Sequence, residues 1–172
     1  MTSTIGQPKY AVQKMAKHHD VSSFDCQNTY LNSFLKDKAL AQSQRDISVT
    51  FVALDLTASN PAVIGYFTLR ADSFYPENRQ DGDIIPVVEL VALARDRTYR
   101  GQGVGDYLLI STLQNVQQAA ELVGIAGLHL LPTEEGRRLY NRYQFDEHPL
   151  SYRTDLLFLP MNVIRLIVSE AE

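Results

Sequence analysis

The spacing of apolar residues changes along the chain, and each change marks an element. From Lys9 to Met15 apolar and polar residues alternate weakly, which predicts a first strand, and a polar segment follows through Asn28. Between Tyr30 and Gln44, Leu31, Phe34, Leu35, Lys38 and Ala39 fall at helical spacing on one face, with Asn28 in place to cap the helix. Val49 to Leu54 and Val63 to Leu69 are rich in β-branched and aromatic residues. The turn-forming run Thr57-Ala58-Ser59-Asn60-Pro61 between them makes the pair a β-hairpin. Asp72 to Pro86 carries prolines, Gly82 and the acidic Asp72, Glu77, Asp81 and Asp83, and is expected to be a loop.

Val87 to Leu93 predicts a strong strand. A charged turn from Arg95 to Arg100 leads into Gly101-Gln102-Gly103-Val104-Gly105, and a helix should then run to about Ala120. Gly127 to Leu131 reads as the next strand, ended by Pro132. Glu134 to Tyr143 reads as a helix capped by Thr133, with two glutamates at its positive end. Phe145 to His148 and Thr154 to Leu159 return to strand pattern, and Met161 to Val168 is apolar with helical or extended character. The order β, α, β, β, β, α, β, α, β, β predicts an α/β chain, a mixed sheet with helices on its faces.

Composition narrows the function classes. At 172 residues, 45% hydrophobic and 21% charged, the chain is expected to form a single domain spanning 1–172 with a core of its own. No apolar run approaches the roughly 20 residues that cross a bilayer, and the first residues, Met1 to Pro8, hold no signal-peptide core, so a cytoplasmic protein without membrane contact is expected. The lone Cys26 cannot form an internal disulfide. Adjacent His18 and His19 read as surface, and no Cys/His spacing suggests a metal. A net charge of −4 gives no general attraction to nucleic acid, so any polyanionic partner must meet a local patch.

The glycine turn carries the chemistry. A turn of this kind opening a helix leaves backbone N–H groups pointing outward, where they and the helix dipole hold phosphate. A P-loop requires a Gly-Lys-Ser/Thr ending that is absent here. A dinucleotide turn requires a third glycine where Asp106 stands, and a turn directly after the first strand. Glu121 is at the spacing of a ribose-binding acid but precedes the next strand.

Arg100, Gly103 and Gly105 do match the R/Q-x-x-G-x-G/A pyrophosphate motif of the GNAT N-acetyltransferases, which the segment Arg100 to Gly105 resembles. The likeness extends over nearly the whole chain. Phe24-Asp25-Cys26, Tyr30-Leu31-Asn32-Ser33-Phe34-Leu35, Val63 to Leu69 and Val91-Ala92-Leu93-Ala94-Arg95-Asp96 resemble the GNAT branch that acts as toxins in toxin–antitoxin pairs. That branch has a tyrosine in its last helix before a Gly–Phe, an element similar here to Leu139-Tyr140-Asn141-Arg142-Tyr143-Gln144-Phe145. Two features depart from it. Gln144 replaces the glycine, at a cost of roughly 1 kcal/mol if the position is left-handed, and the chain is acidic where tRNA-modifying toxins are generally basic.

The resemblance implies a GNAT fold, a central mixed, mostly antiparallel sheet of six to seven strands flanked by helices, whose strands four and five splay apart to admit acetyl-CoA as co-substrate. Val91, Ala92 and Leu93 would hold the pantetheine arm through backbone groups, one of them polarising the thioester carbonyl. Arg100 and the backbone of Gly101, Gln102, Gly103, Val104 and Gly105 would hold the pyrophosphate, with Arg95 or Arg97 at the outer phosphate. Tyr140 is the implied general acid for the leaving sulfur and Glu89, at the start of strand four, a base acting through water. A solvated strand-end carboxylate is the plainer role for Glu89. Tyr143 is a second phenol whose plainer role is core packing.

Three acceptor readings stay open. In the first, the α-amine of aminoacyl-tRNA is met by a basic strip of Arg137, Arg138, Arg142, Lys36, Lys38 and Arg45. In the second, a small amine or protein lysine is drawn by the acidic Asp72 to Asp83 segment. In the third, the chain is a non-catalytic acyl-CoA-binding module. The toxin reading also implies a homodimer and a ribbon-helix-helix antitoxin partner.

Overall fold

In a computed structural model of the chain, which describes residues 8–76, 84–147 and 155–172, seven strands form one sheet in the order β1-β2-β3-β4-β5-β7-β6. β1 (Tyr10–Lys14), β2 (Val49–Asp55), β3 (Val63–Phe74) and β4 (Ile85–Arg95) are antiparallel neighbours. β5 (Gly127–Leu130) lies parallel to β4, and β7 (Leu157–Pro160) and β6 (Asp146–Glu147) continue antiparallel beyond it. This is the mixed sheet that the pattern predicts, mostly antiparallel as the resemblance implies.

Helices cover both faces. On one lie α1 (Thr29–Ser33), a π-helical turn Phe34–Lys38 and α2 (Ala39–Gln44), continuous along the chain. Asn28 caps α1 as expected, its side chain accepting from the Leu31 N–H at 3.1 Å. Phe34, Leu35 and Ala39 pack here with Phe24, Tyr66, Ala92 and Ala94. The buried Tyr66 hydroxyl donates to the Leu31 carbonyl at 2.8 Å and pins α1 to β3. On the other face α3 (Val104–Ala120) and α5 (Met161–Ala171) bury Leu108, Leu109, Leu113, Ile164 and Val168 against Phe67, Val88, Leu90 and Leu128. A short helix α4 (Arg137–Asn141) connects β5 to β6.

Three readings need correction, and one left open is settled. The expected loop from Asp72 to Pro86 is strand at both ends: Asp72, Ser73 and Phe74 pair with Val87, Pro86 and Ile85. Strand pattern fades there because Arg70 to Ser73 are exposed, and Pro86 is tolerated near the start of a strand, where its missing N–H costs least. Arg95 belongs to β4 instead of the turn, and the turn itself is a 3-10 segment, Arg97–Tyr99. Glu134 to Gly136 form a turn before α4 instead of its first residues, although Thr133 Oγ1 still accepts from the Gly136 N–H at 3.1 Å. Met161–Ala171 is helical throughout. Glu77, Asp81, Asp83, His148 and Thr154 lie outside the described residues.

Candidate active site

The sheet opens between β4 and β5. Their parallel register comprises Val88 with Leu128 and Glu89 with His129, the Ala126 N–H donates to the Pro86 carbonyl before it, and Leu90 to Arg95 have no registered partner on β5. β5 ends at Leu130, and Pro132 has no N–H to continue a ladder. At the same point β4 is bulged: Thr68 pairs with Ala92 and Leu69 with Leu90, so Val91 is unpaired. The extra residue re-phases the strand, as bulges do. Val88 and Leu90 face the α3/α5 core, whereas Ala92 and Ala94, of the same parity, face the α1/α2 core. Backbone groups along this open edge are therefore available to a ligand.

Beside the bulge lies a cavity of about 470 Å³. One wall is a helical stripe of Leu31, Phe34, Lys38 and Gln42 with Tyr30 beside it; the opposite wall is Arg70, Glu89 and Val91, and Leu131 to Thr133 border it after β5. Glu89 is not at the start of its strand, which begins at Ile85, but midway along it. Its Oε2 accepts from Arg70 Nε at 3.0 Å and from Arg70 Nη2, so it is an ion-paired carboxylate on the cavity wall. Beyond it His129, buried on β5, meets Asp72 through Nε2 and Oδ2 at 2.9 Å. Ligand-type atoms of Asp72, Glu89 and His129 lie within 4.8 Å of one another, with Asp72 bonded to His129 and Glu89 to Arg70.

At the far end of β4 the chain enters the glycine turn. Gly101 and Gly103 have φ of 74° and 77°, a left-handed conformation that explains glycine at both, since a Cβ at either would touch nothing within 4 Å. Gly103 caps α3. Among the described residues no acceptor meets the N–H groups of Gly101, Gly103, Val104 or Gly105, so a row of donors faces outward at the positive helix end. Arg100 pairs with Glu135 at 2.8 Å across the mouth of this turn, both side chains well exposed. Arg97 approaches Asp25 at 3.5 Å, and Arg95 is half-buried at the end of β4.

Tyr140 projects from α4 into the interior, 6% exposed, with Phe145 edge-on at 5.3 Å. Burial pushes its phenol well above the usual range, and its hydroxyl has no hydrogen-bond partner among the described residues. Gln144 has φ of 62°, the left-handed position anticipated where the glycine is missing. The Phe145 N–H turns back to the Tyr140 carbonyl at 3.4 Å, closing the helix end.

Tyr143 packs half-buried against the core, as its plainer role had it, and its hydroxyl donates to Asp106 Oδ1 at 2.8 Å. The same carboxylate takes two bonds from Arg142 at 2.8 and 3.0 Å. Asp106, in the first turn of α3, thereby ties the Tyr140 helix to the glycine-turn helix. The sequence offers Asp106 only as a missing glycine and Arg142 as one of a basic strip, and the structure pairs these two with each other. Lys36, Lys38, Arg45, Arg137 and Arg138 are exposed, with no ion pair among the described residues.

No family model matches the chain. A "tRNA-acetylating toxin" of Mycobacterium tuberculosis (strain ATCC 25618 / H37Rv) is 30% identical over 147 residues, 81% of this chain and 86% of the relative. The chain belongs to the toxin branch of the GNAT acetyltransferases. Two solved members of the branch superpose closely. A tyrosine-to-phenylalanine mutant of KacT, 26% identical, has a TM-score of 0.82 over 93% of this chain and 99% of its own. AtaT, 26% identical with a TM-score of 0.80, has been solved as a tyrosine-to-phenylalanine mutant with acetyl-CoA and the C-terminus of the antitoxin AtaR, covering 93% of this chain and 98% of that one. AtaT has also been solved with acetyl-methionyl-tRNAfMet, at a TM-score of 0.80, 26% identity and coverage of 92% and 98%.

Proposed function

We propose that the protein transfers the acetyl group of acetyl-CoA to the α-amine of aminoacyl-tRNA. The observation that carries this is the parting of β4 and β5 after Glu89 with Val91 bulged at the opening. It frees a strand edge beside an acceptor cavity and on the same strand that leads to the glycine turn. Arg100 and the amides of Gly101, Gln102, Gly103, Val104 and Gly105 hold the pyrophosphate. The exposed Arg100–Glu135 pair is of a kind that contributes on the order of 0.2–1 kcal/mol and yields readily to a phosphate. Backbone groups of Val91, Ala92 and Leu93 hold the pantetheine arm.

In the reaction the amine nitrogen bonds to the thioester carbonyl carbon, and the carbonyl oxygen gains negative charge that an N–H at the bulge stabilises. The C–S bond then breaks, the sulfur takes the Tyr140 proton, and the phenolate recovers one from the new amide nitrogen, so protons balance. Burial keeps Tyr140 protonated at neutral pH, which suits a donor. It also makes a lasting phenolate costly, so donation and recovery must be nearly concerted. The α-amine of an aminoacyl ester needs little help from a base, being less basic than a lysine amine. Glu89, held by Arg70, serves best by orienting the ammonium before attack. Lys38 and Arg70 outnumber Glu89 on the cavity walls, which disfavours a polycationic acceptor.

The same relation supports a single domain acting in the cytoplasm as a homodimer and neutralised by an antitoxin of ribbon-helix-helix type. No helix among the described residues is long and apolar enough to cross a membrane. Transfer of labelled acetyl from acetyl-CoA to charged tRNA, free amino acids and polyamines tests the assignment. Label should appear on charged tRNA and be released with the amino acid on mild base; label confined to small amines would overturn it.

A further inference from the structure

One wall of the acceptor cavity carries two features that the acetyl-transfer chemistry does not use. Tyr30, in the first turn of α1, leaves 67% of its surface in solvent while lining the cavity mouth. An aromatic ring this exposed gains nothing for the core and is available for stacking. Lys38 lines the same cavity, is exposed, and has no ion pair among the described residues. It stands at the end of the π-helical turn Phe34–Lys38 and shares the cavity stripe with Leu31 and Phe34. With Arg70 against Glu89, the cavity holds one net positive charge in a chain of net charge −4.

We infer that this wall is the docking site for the terminal nucleoside of the acceptor strand: the Tyr30 ring stacks on its base and the Lys38 ammonium meets its phosphate. A stacked base with an adjacent cation is how proteins hold unpaired nucleotides without reading a duplex. It needs only a local positive patch, so the overall acidic charge is no obstacle. The inference rests on the aminoacyl-tRNA reading above and adds that the enzyme recognises the nucleotide end itself, beyond the amino acid it carries.

The test compares two acceptors bearing the same amino acid, charged tRNA and the amino-acid methyl ester, in wild type, Tyr30→Ala, Tyr30→Phe and Lys38→Ala. For Tyr30→Ala, the ratio of kcat/KM on tRNA to kcat/KM on the ester should fall about 5- to 100-fold, the range for losing one stacked base. Tyr30→Phe should restore it. Lys38→Ala should flatten the dependence of log KM for tRNA on log salt by about 0.7, one single-strand phosphate contact. Equal losses on both acceptors, or no loss on tRNA, would overturn the docking site while leaving the acetyltransferase reading intact. A wild type that acetylates the ester but not charged tRNA would overturn the function itself.

Discussion

Replacing Asp106 by Asn removes the charge that joins the glycine-turn helix to the Tyr140 helix and leaves the shape almost unchanged. Asp106 accepts two bonds from Arg142 and one from the Tyr143 hydroxyl. The ion pair is partly exposed, with side chains 42% and 57% accessible, so its share is about 0.2–1 kcal/mol. The Asn oxygen still accepts from the Tyr143 hydroxyl, but loss of the charge weakens that bond by about 1 kcal/mol, giving roughly 1–2 kcal/mol in total. Burial raises the Asp106 pKa, but the bonds from Arg142 and Tyr143 outweigh it and hold the carboxyl below its usual range. A carboxylate depressed in the folded state stabilises fully above its unfolded pKa, about 4, and loses that contribution as pH falls through the folded value.

Urea denaturation of Asp106→Asn should therefore show a lower midpoint with an unchanged slope at pH 7. The difference from wild type should shrink toward pH 3. Because α4 is loosened at the end that carries Tyr140, kcat should fall more than the affinity for acetyl-CoA. Equal midpoints at pH 7, or a deficit that persists unchanged at pH 3, would refute the clamp.

Three further outcomes follow from backbone geometry. Gly103→Ala places a side chain at φ of 77° with open space around it, so the cost is conformational, about 1–2 kcal/mol, and calorimetry and the KM for acetyl-CoA should both register it. Gln144→Gly should relieve similar strain less the chain entropy of glycine, a net gain of about 0.5–1 kcal/mol that thermal melts would read as a rise of roughly 1–4 °C. Gly127→Ala would drive a methyl against the Leu159 carbonyl and to 2.7 Å from the Phe158 ring. It should destabilise by about 1–3 kcal/mol in urea melts and reduce soluble yield.

The sequence showed most plainly what rests on local chemistry. Asn28 as a cap, Thr133 before α4, the glycine turn and the strain at Gln144 all depend on neighbours a few residues away, and all stand in the structure. The bulge at Val91 was hidden because Val87 to Ala94 is almost continuously apolar: a one-residue slip in such a run leaves hydrophobic groups on both faces. The π turn was hidden because one extra residue in a helical repeat barely disturbs a short apolar stripe. Asp106 and Arg142 are 36 residues apart, and Glu89 and Arg70 are 19 apart across two strands, so their pairing belongs to tertiary packing, which no local pattern encodes.

The most direct test of the mechanism is single-turnover acetylation of charged tRNA by Tyr140→Phe, read beside the Kd for acetyl-CoA. The account predicts a rate lower by about 10²- to 10⁴-fold, the usual contribution of a positioned acid, with Kd within about twofold of wild type. A rate close to wild type would show that the sulfur leaves without the Tyr140 proton, and a matching loss of acetyl-CoA affinity would show that the phenol binds instead of catalysing.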